Sequence, residues 1–334
     1  MQDNSIIILS TRACRKKHHV SYDTILGMEN AFIKEGAVLK LFSYDIGIIN
    51  KILWKGHLKT RILDSKVCKD LSDRNILFIA MGIDDLILYK KELQKLAKCN
   101  VVGLYCFDVW ESKYELYEEM YNYISPQLIF FAYKAACIHF SNSYRCYFVP
   151  QSMDINFFYP RNIEKTRLFI QIGRRNENIH SMILKYMQDK NIPLTDDNYL
   201  YEKVKGTILF PNTEDLATEI ARTKYFVAAP QSKENTELTG RVSDVTARFY
   251  EAMACKTLII GYKPDTFDEL FPSDAMIDLE NDETLNDVIR FFEEHPEEYQ
   301  RIVDRNYDLI VKKHTWKERY YAIQKEFALL KNKI

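Results

Sequence analysis

Short, nearly continuous apolar runs alternate along this chain with longer stretches whose apolar positions recur at helical spacing. "SIIILS" (5–10) reads as a strand, and "DTILGMENAFIKEG" (23–36) as a helix that stops near Gly36. "VLKLFSY" (38–44) and "NILFIAMG" (75–82) are further strands. "DDLILYKKELQKLAKC" (84–99) is a helix with aspartates first and lysines late, the order the helix dipole favours. "NVVGLYCF" (100–107), "ESKYELYEEMYNYI" (111–124) and "QLIFFAY" (127–133) continue as strand, helix and strand. "YFVPQSMDINFFYPRNIEKT" (147–166) breaks the alternation with two prolines and no period, and reads as an interdomain linker.

The pattern restarts with the strand "RLFIQIG" (167–173), helices over 177–190 and 213–223, and the strand "YFVAAP" (225–230). A helix over 244–255 feeds the strand "TLIIGY" (257–262). Two acidic-first, basic-last helices (282–295 and 296–314) and an amphipathic helix (315–332) close the chain. Continuous apolar strands separated by helices predict parallel sheets covered on both faces. The expected fold class is therefore α/β, with two Rossmann-like domains whose parallel sheets face each other across a cleft. The expected domains are 1–150 and 165–314, with the last helix (315–334) packing back on the first. Ligands on such sheets sit beyond the carboxyl ends of the strands, where helix N-termini present backbone N–H groups.

Composition narrows the class. The 334 residues suit two domains, and 47% hydrophobic with 28% charged is an ordinary globular balance. A net charge of -1 argues against nucleic acid as a partner. Residues 1–150 hold 20 Lys+Arg against 16 Asp+Glu, and the remainder 26 against 31. The mildly basic N-terminal half leaves open an anionic acceptor or peripheral contact with an anionic membrane surface; simple scatter is the alternative. Seven cysteines without C-x-x-C or zinc spacing fit a reducing cytoplasm. The start, "MQDNSIIILS", reads as a first strand rather than as a leader or membrane span.

Candidate chemistry clusters after strands. In "QIGRRNENIH" (171–180), Gly173 ends a strand, and Arg174 and Arg175 follow it. A planar guanidinium can take two phosphate oxygens at once, which suits a diphosphate. A surface arginine pair is the alternative. In "TARFYEAMACKTLIIGY", Arg248 and Glu251 stand three apart on one helix face. A carboxylate there can accept two hydrogen bonds from ribose hydroxyls, while Arg248 takes phosphate or steadies Glu251; an ordinary i, i+3 ion pair is the competing reading.

Four segments resemble GT-B glycosyltransferases, especially the CgeB-like and group-1 (GT4-like) families. "RFYEAMACKTLIIGYKP" is similar to their "EAMACG-P-V" stretch, "FVPQSMDINFFYP" to their "VPNGVD…F-P" linker, and "FIQIGRR" to their "VGR" strand end. The stretch from "IDLENDETLNDVIRFFEEHPEEYQRI" to "HTWKERYYAIQKEF" resembles their C-terminal part. The resemblance runs over about residues 148–330. It implies a GT-B fold and transfer of a sugar from a nucleotide-activated donor such as a UDP- or GDP-sugar to a glycan, lipid-linked or other acceptor. It implies that Glu251 binds the ribose and Arg174 the diphosphate, with no metal or other cofactor. The nucleotide base falls near "GTILFPNTEDL" (206–216), where backbone groups of Phe210 and Pro211 can read its edge; a plain connection with a capping threonine is the alternative. Asp154 matches the linker aspartate and reads as structural.

This chain departs from the family at several positions. Ser243, with Asp244 beside it, stands where GT4-like members carry an earlier glutamate. The lysine usual after the "GR" is absent, leaving Arg175 or His180 as substitutes, and Lys256 stands where glycine is common. The candidate acid–base groups are Asp108, just past a strand end, and His18 and His19 in the basic segment 10–23. A helix-capping aspartate and surface histidines are their alternatives. The missing glutamate keeps open a non-catalytic carbohydrate- or protein-binding module on a GT-B frame, and a GT-B nucleotide-sugar epimerase is the other alternative. A nicotinamide dehydrogenase is disfavoured, since no G-x-G-x-x-G follows any expected strand.

Overall fold

The computed structural model describes residues 5–11, 23–41, 71, 73–173, 175–204, 209–230, 236–280 and 285–331. The chain divides into two compact units. One comprises Met1–His18, Glu29–Val149 and Tyr320–Ile334, the other His19–Met28 and Pro150–Arg319.

The first unit is built on β1 (Ile6–Ser10), the second half of α1 (Asp23–Lys34, whose residues up to Met28 fall in the other unit), β2 (Val38–Leu41), β3 (Asn75–Ala80), α2 (Ile83–Ala97), β4 (Val101–Cys106), α3 (Tyr114–Ile124), β5 (Leu128–Phe131), α4 (Lys134–Phe140) and β6 (Cys146–Phe148). Its six strands lie in the order β2-β1-β3-β4-β5-β6, every pair parallel. Strands β1, β3 and β5 are buried along their whole length, which is why they read as unbroken apolar runs rather than alternating ones. Tyr89 and Leu93 of α2 and Tyr117, Met120 and Tyr121 of α3 pack into one core with Phe78, Leu104 and Phe131. On the same unit, Phe327 of the last helix lies over β4 at Gly103; a Cβ there would stand 2.7 Å from the Phe327 ring. Glycine at 103 therefore makes room for an aromatic ring inside a strand.

The second unit contains β7 (Arg167–Gln171), α5 (Glu177–Asp189), β8 (Tyr199–Tyr201), α6 (Thr213–Ala221), β9 (Thr223–Ala228), α7 (Thr236–Thr239), α8 (Ala247–Ala254), β10 (Leu258–Gly261), α9 (Phe267–Leu270), β11 (Met276–Asp278), α10 (Leu285–Glu294) and α11 (Pro296–Lys313). The last helix, α12 (Trp316–Lys331), begins here. The strands run parallel in the order β11-β10-β9-β7-β8, so the winding reverses between β7 and β9. One core joins α6 and α8 to the sheet through Leu216, Ile220, Phe249 and Met253. A second core joins α5 and α10 through Ile179, Ile183, Val288 and Ile289. Gly261 has φ +150, and a Cβ there would lie 1.8 Å from the Ala228 carbonyl oxygen. Only glycine lets β10 and β9 approach at that point.

Two parallel sheets are thus present, as the apolar pattern predicts. The pattern passes over α4, α7, α9, β6, β8 and β11. Three of these are three-residue strands at or next to a sheet edge, too short to show a period. β6 also falls inside the segment read as linker, and continues the first sheet to Phe148. Lys165, at the end of that segment, is half-buried and bonds backbone and hydroxyl oxygens rather than a carboxylate. Its Nζ donates to the carbonyls of Ala221 and Thr223 at 2.9 and 2.8 Å and to Thr257 Oγ1 at 3.0 Å, and burial pushes its pKa down to about 8. It ties the entry of β9 to the entry of β10.

Candidate active site

Helix α8 carries the two residues the sequence placed on one face. Thr246 at its cap makes no side-chain bond to the helix; instead Gln151 Oε1 accepts the Ala247 N–H at 2.9 Å. Every residue of α8 except Arg248 is buried. Burial on all sides follows from packing between the sheet, α6 and α11, and explains the apolar character around Glu251. Arg248 Nη1 donates to Glu251 Oε2, the glutamate side chain being 5% exposed and the arginine 27%. The cavity beside them measures about 10 Å³, room for a single water. Met153, Asp154, Phe158, Thr213 and Leu216 help to line it.

Around this pair the loops are fixed by bonds between distant residues. Asn212 caps α6, its Oδ1 accepting the Asp215 N–H at 2.9 Å; the cap is therefore Asn212 rather than Thr213. Ser243 and Asp265 clamp each other. The Ser243 N–H and Oγ donate to Asp265 Oδ2 at 2.7 and 2.8 Å, and the Asp265 N–H donates to Ser243 Oγ at 2.9 Å. Ser243, where the resemblance leads to the expectation of a glutamate, thus holds a loop together. Asp154 Oδ1 accepts the Asn156 N–H at 2.9 Å, and its carbonyl accepts from Phe157 and Phe158, which makes it a turn-former.

The other candidates are dispersed. Gly173 follows β7 with φ +88, and Arg174, His18 and His19 lie outside the described residues. Arg175 lines a separate recess of about 730 Å³ at the carboxyl ends of β7, β10 and β11, with Asn176, Glu177, Tyr262 and Glu280. Its Nη2 is 2.8 Å from Glu177 Oε1 and its guanidinium lies over the Tyr201 ring at 5.7 Å. Phe210 is buried in the α6–α8 core, so only its backbone is available to a ligand, whereas Pro211 is exposed. His180 does not replace the missing lysine. It is buried against Tyr199, whose hydroxyl is 3.0 Å from Nδ1, and burial and Arg175 lower its pKa. That environment disfavours the imidazolium a phosphate contact needs. In the first unit, Asp108 sits just beyond β4; its N–H donates to the Met81 carbonyl at 2.9 Å and its carbonyl accepts from Tyr117 Oη at 2.7 Å.

Sequence reading missed Gln151, Asp265, His314 and Arg319. Arg319, 8% exposed, donates Nε to the Pro150 carbonyl at 2.9 Å and Nη2 to His314 Nδ1 at 3.0 Å, and Ser152 Oγ donates to the His314 carbonyl at 2.6 Å. These bonds join the segment that presents Gln151 to the turn before α12. The "H-T-W" stretch was their only trace in the sequence.

Its two parallel sheets, each covered by helices, give the chain the GT-B fold. It is similar over 99% of its length to all of Anabaena HepE (TM-score 0.60, 11% identity) and to all of sucrose-phosphate synthase from Thermosynechococcus elongatus (TM-score 0.58, 10% identity). It is also similar over 97% of its length to 99% of a trehalose-6-phosphate synthase (TM-score 0.58, 10% identity). Residues 200–325, which include α8 and the Arg248–Glu251 pair, match the model of the Glycosyl transferase-like family. The resemblance to group-1 GT-B glycosyltransferases therefore holds. No curated protein matches the chain. Among the described residues, no helix is long and apolar enough to cross a membrane.

Proposed function

We propose that this chain is a glycosyltransferase that moves a sugar from a nucleotide-activated donor to a glycan, lipid-linked or other acceptor, without a metal ion. The observation that carries the reading is the buried Glu251, bonded to Arg248 at the start of a helix inside the glycosyl transferase-like segment. Support for the donor class comes from HepE, a structural neighbour solved with UDP-glucose and with UDP. In this reading Glu251 accepts hydrogen bonds from the ribose hydroxyls. Arg174, with Arg175 and Arg248, balances the charge that grows on the departing diphosphate. Positioned cations and helix N–H groups are effective there because they need no reorganisation as the bond breaks. The sugar passes through an oxocarbenium-like state, the charge problem glycosidases also face. The first unit is assigned the acceptor, with Asp108, His18 or His19 as the acid–base group, and the cytoplasm, including the inner membrane surface, is the proposed setting.

The Ser243–Asp265 clamp favours a second reading, a nucleotide-sugar-binding module without turnover, because it occupies the place of the earlier family glutamate. A thermal-shift screen against nucleoside diphosphates and their sugars, followed by a turnover assay, separates the two. A ligand at 100 times its dissociation constant adds about 2.7 kcal/mol to the folded state. The expected result is a shift for one nucleotide that is lost in Glu251→Ala, together with sugar transfer. Shift without transfer or hydrolysis selects the binding module. Absence of a shift across the panel, or one unchanged in Glu251→Ala, overturns both.

A further inference from the structure

Arg248 has a placement that a fixed support for Glu251 does not need. It is the second residue of α8, and the first turn of that helix holds no acidic residue. A cation there opposes the helix dipole, which favours negative charge at the N-terminus. Helical side chains also tilt towards the N-terminus, so the natural course of Arg248 runs out past the first turn. The Glu251 side chain, one turn deeper, leans the same way, and there the two meet. The result is a buried carboxylate already bonded, beside a cavity of about 10 Å³ that has no room for a ribose. Arg248 is the only α8 residue that is not buried, and so the only one with freedom to move away.

We propose that Arg248 is a latch with two partners. Without ligand it closes on Glu251 and keeps the buried carboxylate satisfied, because an unpaired buried charge is strongly destabilising. When a nucleotide binds, the ribose hydroxyls take over the Glu251 oxygens. The released guanidinium turns outward along its natural course and bonds the diphosphate at the helix N-terminus. Only a ligand that offers both a vicinal diol and a diphosphate replaces both halves of the broken ion pair. Arg248 thereby couples recognition of the two groups and acts as a positioning and specificity residue. The inference rests on the nucleotide-sugar reading above.

The test measures dissociation constants by calorimetry for UDP, and the preference for ribose over dideoxyribose with the phosphate-free pair uridine and 2′,3′-dideoxyuridine, or with the corresponding compounds of whichever diphosphate shifts the wild type. The proteins are wild type, Arg248→Ala, Arg248→Gln and Glu251→Gln, each checked for folding by circular dichroism. For a latch, both Arg248 variants bind the diphosphate more weakly, yet their preference for ribose over dideoxyribose rises, by about fivefold, since the hydroxyls no longer compete with an ion pair worth about 1 kcal/mol. Glu251→Gln loses that preference. A preference that falls in both Arg248 variants towards the Glu251→Gln value, or stays at the wild-type value, overturns the latch and makes Arg248 a static support or a bystander. If wild type binds no nucleoside diphosphate at all, the nucleotide-sugar reading itself fails, and the latch with it.

Discussion

Gln151 Oε1 accepts the N–H of Ala247 at 2.9 Å across 96 residues of chain, so the segment after β6 caps the helix that holds Glu251. The first helical N–H of α8 has no partner within the helix, and its own cap residue, Thr246, does not reach back. Loss of this acceptor leaves a buried donor bare. Gln151→Ala is expected to cost about 1 kcal/mol of unfolding free energy, or about 2–4 °C in melting temperature for a unit of this size. Gln151→Glu keeps an acceptor at a helix N-terminus and should retain most of the stability. Calorimetry on both variants checks this; equal melting of Gln151→Ala and wild type would refute the capping role.

His314 gives the second unit an acid-sensitive seam. Burial first, then Arg319 and Lys313, pushes its pKa down to about 4, and the ring packs between Phe271 and Tyr250. The unfolded chain takes up a proton near the ordinary histidine value of about 6.5, whereas the folded chain resists until about pH 4. Stability is therefore complete above pH 6.5, declines as pH falls through this window, and levels off below it, with a loss of up to about 3 kcal/mol. His180, also lowered, contributes in the same direction. The difference between wild type and His314→Gln in urea unfolding at pH 7, 5.5 and 4.5 isolates the His314 share. Parallel pH dependences would show that His314 does not carry it.

Restoring the family glutamate should not restore anything here. Ser243 is 3% exposed, and its hydroxyl and N–H already bind Asp265. Ser243→Glu forces a larger, charged side chain into a buried position beside the exposed Asp265 carboxylate, and is expected to destabilise by about 2 kcal/mol or more. Ser243→Ala forfeits two side-chain bonds and should cost about 1–2 kcal/mol. Denaturant midpoints measured at equal slope decide it; a Ser243→Glu protein as stable as wild type would show that the clamp is dispensable.

Lys256 occupies a left-handed backbone position, φ +52, at the end of α8, a conformation that glycine adopts most readily. The Thr257 N–H reaches back to the Ala252 carbonyl at 3.0 Å, which closes the helix in the way that conformation requires. Strain of about 1 kcal/mol is offset by the Asp304 ion pair at 2.5 Å and by the Tyr307 ring 5.2 Å from Nζ. Lys256→Gly should leave stability within about 0.5 kcal/mol of wild type, since strain and partners are lost together. Lys256→Ala keeps the strain, loses the partners and should fall by about 1 kcal/mol. The sign of the Gly–Ala difference in thermal melts is the check.

Much of the architecture was written locally. Strands such as β3 and β5 carry apolar side chains on both faces, and parallel sheets covered by helices are the arrangement that buries both. Arg248 and Glu251 were legible for the same reason, because three residues on a helix fix neighbours without help from the rest of the fold. Local period also set β7 and α5, and with them the loop bearing Gly173 and Arg175.

Tertiary structure alone decided what surrounds that pair. Gln151 on Ala247, Ser243 on Asp265 and Arg319 on the Pro150 carbonyl join residues 96, 22 and 169 positions apart. It also separated Arg175 from Glu251 into different recesses and took His180 out of reach of phosphate by burying it under Tyr199. The cause is physical. Period and propensity act between residues within one or two turns, whereas a buried polar group is satisfied by whichever partner the packed chain brings beside it, and no local pattern encodes that choice.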